Sequence, residues 1–469
     1  MTQTMNGENA LSGTGRETVD LFFNIGSARN AQERVEGLFD KALQSEPELT
    51  AAILAWARDA RGGAGERETF RNLLRKLIKV DQKLATKLLK LAPTLGRFDD
   101  LRSGFNTSLE DVAVKIWADA IEEGNELAHK WVNIKKDHRL RKHMKMSNKE
   151  FRKKIVAGRP NIVEKKMCGK EWVDITYEHV PSVCMKKNAN VFRAHDGKRF
   201  DSWINDDDAK VNASVLFPHQ IYQTWKQGLY SNDNSAQLAS KQWKALEMEI
   251  GANILPMVDT SSSMDCTASK GVTCMEVAIS LGAFLAQKNT GSFKNKFLTF
   301  SEKSTLQDLP ETDDVGRVFE SLRRSDWGMT TNFQSAYQAI LNEAVQSQIP
   351  KEQMPEYLVV LSDMQFDEAT GSNRGAWRQV DVPSYETAFG KMRVAFEQSG
   401  YEIPKVIFWN LNAGYDNYPS SSTQDGVALV SGFSPFVMKA VVDADLDRIS
   451  PESIMVTTVE KYQKMITDA

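Results

Sequence analysis

The chain has 469 residues, 26% of them charged, and a formal net charge of −3. That length allows two or three domains with ample core, and that charge excludes binding of polyanions through overall charge alone. The four cysteines (Cys168, Cys184, Cys266 and Cys274) form no Cys-x-x-Cys pair and do not cluster with the six histidines, so neither a zinc site nor a disulfide framework is expected and a reducing compartment fits.

Residues 1–16 are rich in Gly, Thr and Asn and read as a disordered tail. They carry no apolar signal region, and no window of the chain approaches the length of apolar run that spans a bilayer. The expectation is a cytoplasmic protein with no membrane partner.

From residue 17 to 134 the pattern is helical. Phe70, Leu73, Leu74, Leu77 and Ile78 mark one apolar face, with Arg71, Arg75, Lys76 and Lys79 opposite. Val35, Leu38, Phe39 and Leu43 mark another, as do Leu49, Ile53, Leu54 and Ala57. Two more faces follow, at Leu84, Leu88 and Leu91 and at Leu109, Val112 and Ile116. Short helices in series predict a helical-repeat, HEAT-like array, although no clean sequence period is visible. Two loops put glycine beside arginine: Arg61-Gly62-Gly63-Ala64-Gly65-Glu66-Arg67 and Leu95-Gly96-Arg97-Phe98-Asp99-Asp100. Such loops let a phosphate approach the backbone, and they equally serve as helix-ending turns with solvated charges. Neither ends in Gly-Lys-Ser/Thr, so nucleotide binding by a P-loop is not supported.

Residues 135–200 form a basic insert. Between 135 and 170 there are fourteen Lys or Arg against Asp137, Glu150 and Glu164, an excess of eleven positive charges in a chain that nets −3. The run includes Lys135, Lys136, Arg139, Arg141, Lys142, Lys145, Arg152, Lys153 and Lys154, with His138, His143 and Phe151 interleaved and Trp172 close by. Cations beside aromatics are the footprint of a surface that tracks a nucleic-acid backbone; a solvated helical face with snorkelling lysines has the same composition. Further on, His195-Asp196-Gly197 reads as a turn rather than a catalytic pair. Asp206-Asp207-Asp208 reads as an exposed loop, and Ile221, Trp225, Trp243 and Leu246 as a helical connection over 201–250 that completes the repeat region.

Over 251–440 strands alternate with helices. Strands are predicted at 252–258, 296–300, 357–361, 405–409 and 427–430, and helices at about 274–288, 333–347 and 384–398. This spacing predicts a doubly wound parallel sheet whose strands end, on one edge, at Asp259, Ser301, Asp363, Asn410 and Ser431. Residues 441–469 read as a C-terminal helical tail. The loop Asp259-Thr260-Ser261-Ser262-Ser263 offers hard oxygen donors where a buried strand stops, a setting that suits Mg²⁺, Mn²⁺ or Ca²⁺ better than zinc. A helix cap has the same composition.

Two further segments complete a pattern: Gly328-Met329-Thr330-Thr331-Asn332 and Leu361-Ser362-Asp363. Together the three resemble a von Willebrand A domain with a metal-ion-dependent adhesion site. The resemblance implies one divalent ion held by Asp259, Ser261, Ser263, Thr331 and Asp363, with an open position for an anionic oxygen from a partner. In the first half, Asp20-Leu21-Phe22-Phe23-Asn24-Ile25-Gly26, the Arg61–Arg67 loop and Gly96-Arg97-Phe98-Asp99-Asp100-Leu101 are similar to segments of the TROVE module of Ro ribonucleoproteins and their bacterial and phage relatives. That resemblance implies helical repeats closing into a ring that binds small structured or single-stranded RNA. It makes the basic run and Arg61, Arg67 and Arg97 candidate RNA contacts. The basic insert is not a general feature of that module. The expectation is an RNA-binding protein, not an enzyme, since no second metal site or placed general base is apparent. The alternative is a metal-dependent scaffold that grips an acidic side chain of a protein partner.

Overall fold

The computed structural model describes residues 2–3, 9–160, 162–213, 216–230, 234–299, 303–325, 333–364, 385–443 and 449–469. The chain divides into two discontinuous compact units, Met1–Leu38 with Leu216–Thr458, and Phe39–Val215 with Val459–Ala469.

The first unit is α/β. A two-residue pair, β1 (Thr2–Gln3) and β2 (Asn9–Ala10), precedes the main strands β3 (Ile254–Val258), β6 (Lys296–Thr299), β7 (Leu306–Asp308), β8 (Tyr357–Ser362), β9 (Lys405–Asn410) and β10 (Val427–Ser431). Between β3 and β6 lies a small hairpin of β4 (Thr267–Ser269) and β5 (Val272–Thr273). The main sheet runs β10-β9-β8-β3-β6-β7, parallel except for the antiparallel edge strand β7. β3, β8 and β10 are buried along their whole length, as expected of strands covered on both faces and therefore apolar without alternation. Leu255, Met257, Leu358, Val360 and Phe408 share one core with Phe333, Tyr337 and Ile340 of the helix Phe333–Gln346. Each such fully buried side chain contributes about 1.5–3 kcal/mol. Helix Cys274–Lys288 packs on β3 so closely that a Cβ at Gly282 would overlap Val258.

The N-terminal segment differs from its sequence expectation. Leu11 and Tyr418 exchange backbone hydrogen bonds, each 3.1 Å, and the Thr14 hydroxyl donates to Asp20 Oδ1 at 2.6 Å, so residues 11–14 are fastened rather than disordered. Helix Glu17–Ile25 lies against β10, not among the helical repeats. Gly26 donates its N–H to Ser431 Oγ at 3.0 Å, and a Cβ at Gly26 would overlap the Ser431 carbonyl. Arg34 then reaches Asn24 Oδ1 and the Ala413 carbonyl and pairs with Asp416 at 2.7 Å. Helices Pro218–Tyr230 and Ser235–Lys244 also belong to this unit: Tyr222, Trp225 and Trp243 pack around Phe319 with ring centroids 4.9–5.5 Å away. Periodicity showed which face of these helices is apolar but not which partner covers it.

The second unit is helical. Helices Pro47–Arg58, Glu68–Val80, Gln82–Leu95 and Glu110–Glu122 each pack on the next, and shorter helices Glu126–Trp131, His138–His143, Asn148–Ala157 and Val163–Gly169 follow. Charges run through this packing. Arg58 and Asp100, both buried, pair at 2.7 Å; Arg71 joins Asp100 at 2.7 Å and Asp99 at 3.0 Å; Arg102 pairs with Asp137 at 2.7 Å. Burial costs these ions several kcal/mol each, which only close, hydrogen-bonded partners offset. The end of helix Pro451–Asp468 returns here, with the Tyr462 hydroxyl donating to Asp59 Oδ2 at 2.9 Å.

Candidate functional site

β3 and β8 are neighbours in register, Val258 opposite Leu361. After β3 the chain crosses to β6 on one side, and after β8 to β9 on the other. The crevice beyond their carboxyl ends is therefore the topological switch point of the sheet, where open α/β sheets bind ligands. Asp259 follows β3 and Asp363 follows β8.

Asp259 is fully buried. Its Oδ2 accepts from the Ser362 hydroxyl at 2.6 Å and its Oδ1 from the Ser261 N–H at 2.9 Å. Burial pushes its carboxyl pKa up, and the hydrogen bonds from Ser362 and Ser261 pull the other way. Ser261 and Ser263 hydroxyls lie 2.9 Å apart, and Ser263 donates to Asp363 Oδ1 at 3.3 Å. Asp259, Ser261, Ser263 and Asp363 are thus brought to one place; Thr331 lies outside the described residues. Among the described residues no cluster of three or more His, Cys, Asp or Glu is arranged for a metal, and the donors here are two carboxylates and neutral hydroxyls. That set fits a hard divalent cation and not zinc.

The far wall comes from the loop after β9. The Leu411 N–H donates to the Ser362 carbonyl at 2.9 Å, and the Asn412 N–H to Asn410 Oδ1 at 2.8 Å. Asn410 and Ser431 end their strands on the same edge as Asp259 and Asp363, while Ser301 lies outside the described residues. Sequence reasoning missed the orienting role of Ser362, although it stands beside Asp363. It also missed Cys266 and Cys274, whose sulfurs are 3.1 Å apart at the edge of this site.

In the helical unit the basic residues separate into two kinds. Arg139 pairs with Glu110 at 2.8 Å, Lys154 pairs with Glu122, Arg67 pairs with Glu68 at 2.9 Å, and Arg141 donates to the Met146 carbonyl. Arg97 lies over the Trp131 ring at 4.4 Å, its pKa lowered by burial and by the Arg67 charge. In contrast Lys135, Lys136, Lys142, Lys145, Lys149, Arg152 and Lys153 are exposed, as is Arg61, and no ion pair holds them among the described residues. Helix Asn148–Ala157 sets Lys149, Arg152 and Lys153 on one face while Phe151 and Ile155 are buried on the other, and Ser147 caps it with Glu150. An open cavity of about 550 Å³ lies beside the start of the basic run, lined among others by Arg102, Trp131, Lys135 and Arg159.

The two glycine loops have a packing explanation. A Cβ at Gly63 would overlap the Trp56 carbonyl, and one at Gly96 the Arg58 guanidinium. His195 stacks on Trp172 at 4.5 Å, and Asp196 kinks helix Ser182–Asn205 while accepting from Tyr177 and Arg199, both at 2.7 Å. The expected turn is thus a kink within a longer helix. The triple aspartate at 206–208 is exposed. No helix among the described residues is long and apolar enough to cross a membrane.

Two family models match consecutive parts of the chain, both described as domains of unknown function: DUF2828 over residues 72–253 and DUF7788 over residues 253–467. An uncharacterised protein of Acanthamoeba polyphaga mimivirus is 23% identical, covering 98% of this chain and 87% of the relative. The crystal structure of the Deinococcus radiodurans RO (RSR) protein is similar at 14% identity with a TM-score of 0.38, over 92% of this chain and 87% of that one.

Proposed function

We propose that this chain is a Ro-like RNA-binding protein, in which the basic helical region holds RNA and the switch-point crevice of the sheet carries one divalent cation, Mg²⁺ or a similar ion. One observation supports the cation most: Asp259 is fully buried among hydroxyls and backbone, and among the described residues no Lys or Arg pairs with it. A buried carboxylate in that setting is costly unless a positive charge joins it. Asp259, Ser261, Ser263 and Asp363, with Thr331 as the fifth expected donor, would hold the ion. When bound it would supply a partly neutralised positive charge with room for an acidic side chain or a phosphate oxygen. In this reading the domain is of the von Willebrand A kind, and its task is binding rather than turnover, since two carboxylates and neutral hydroxyls make a poor generator of hydroxide.

For RNA the support is the exposed cationic face of Lys149, Arg152 and Lys153 together with Lys135, Lys136, Lys142 and Lys145. Cations free of carboxylate partners are available to displace counterions from phosphates. The test is an electrophoretic shift of single-stranded and hairpin RNA at two salt concentrations. Affinity should fall steeply with salt, and reversal of Lys149, Arg152 and Lys153 to Glu should remove binding while leaving thermal stability intact. Salt-independent or absent RNA binding would contradict the reading. A protein complex that chelator breaks without touching RNA affinity would favour the scaffold alternative instead.

A further inference from the structure

Cys266 and Cys274 stand eight residues apart in the sequence and face each other in the fold. β4 and β5 are antiparallel with Thr267 opposite Thr273, so the next pair outward is Cys266 and Cys274. The backbone confirms the register, since the Cys274 N–H donates to the Cys266 carbonyl at 3.0 Å. Directly opposed residues in an antiparallel pair have Cα atoms roughly 4.5–5.5 Å apart, within the range of about 4.4–6.8 Å that a disulfide requires. The two sulfurs are already 3.1 Å apart, and both cysteines are free thiols. Cys266 is half-exposed and Cys274 buried. Around them stand the Asp363 carboxylate, 3.9 Å from Cys266 Sγ, the Asn412 amide, 3.3 Å from the same sulfur, and the Leu411 carbonyl, 3.5 Å from Cys274 Sγ.

We propose that Cys266 and Cys274 are a redox-modification site that closes to an intramolecular disulfide by exchange with a small-molecule disulfide such as oxidised glutathione. The accessible Cys266 attacks first. Its proton goes to solvent, its sulfur bonds to one sulfur of the oxidant, and the other leaves as thiolate. Cys274 then attacks the Cys266 sulfur of this mixed disulfide, losing its own proton, and the second glutathione thiolate leaves. Two protein thiols are oxidised and one disulfide is reduced to two thiols, so electrons and atoms balance. The hairpin register places both sulfurs so that closure needs only local movement. The site abuts one of the carboxylates assigned above to the cation, yet the inference does not depend on a cation being bound.

The experiment uses the full chain, reduced and then equilibrated with oxidised and reduced glutathione, alkylated, and digested without reduction. Lys270 lies between the two cysteines, so trypsin releases them on separate peptides. The expected result is a linked pair of peptides containing Cys266 and Cys274, with the intact chain lighter by two hydrogens and restored by reductant. Cys274→Ser should instead trap one glutathionyl group on Cys266, and Cys266→Ser should leave Cys274 unmodified. Separate adducts on both cysteines without a link, or a link to Cys168 or Cys184, would overturn the proposal. So would a stoichiometric soft metal bound by the two sulfurs in the protein as purified.

Discussion

The hydroxyl of Ser362, the last residue of β8, donates a 2.6 Å hydrogen bond to Oδ2 of Asp259, the first residue beyond β3. One strand thereby orients the carboxylate carried by its neighbour. Supporting partners of this kind typically tune metal affinity by about 10–100-fold. Ser362→Ala should weaken Mn²⁺ binding by about tenfold in a calorimetric titration. It should also cost about 1–3 kcal/mol in denaturant unfolding, because a buried acceptor loses its donor. Unchanged affinity would remove Ser362 from the site.

Acidity should act on the same carboxylate. Burial raises the Asp259 pKa above its ordinary value of 3.8. A raised folded-state value means that the protonated form is favoured in the fold. In the metal-free protein this group's contribution to stability is present below 3.8 and is lost as pH rises through the raised value. A cation requires the carboxylate, so the gain in Tm on adding Mg²⁺ should grow as pH rises from 3.8 toward neutrality. A Tm gain that shrinks over that interval would contradict this assignment.

The buried Arg58–Asp100 pair should matter to stability and not to the cation. Removing one partner of such a pair strands the other charge and costs about 3–5 kcal/mol. Asp100→Ala strands Arg58, takes from Arg71 the closer of its two aspartate partners, and should lower the unfolding free energy by that amount. Mn²⁺ affinity of the folded fraction should be unaffected.

Much of the sheet could be read from the sequence because its strands are buried on both faces and so appear as unbroken apolar runs. The helix at 274–288 has the bounds expected of it, and β8 and β9 differ from expectation by a single terminal residue each. β7 was not read, since three edge residues, two half-exposed and one exposed, give no period. Helix Val315–Arg324 was also not read, although Val315, Val318, Phe319 and Leu322 form a one-sided buried face that was open to inspection. Glu17–Ile25 and Pro218–Tyr230 were legible as helices but not as parts of the sheet unit, because spacing shows an apolar face and not its partner. At the site, the alternating donors of the Asp259 loop and the distant Asp363 came from local pattern. Ser362 and the facing cysteines depend on strand register, which short strands such as β4 and β5 hardly announce. Thr331 falls outside the described residues.

The most direct measurement is a Mn²⁺ titration of the full chain followed by electron paramagnetic resonance, with Asp259→Asn and Asp363→Asn alongside. The account predicts one bound ion per chain, displaced by Mg²⁺ and lost in both variants while their unfolding remains cooperative. Absence of binding in the unaltered chain, or full binding retained by both variants, would contradict it.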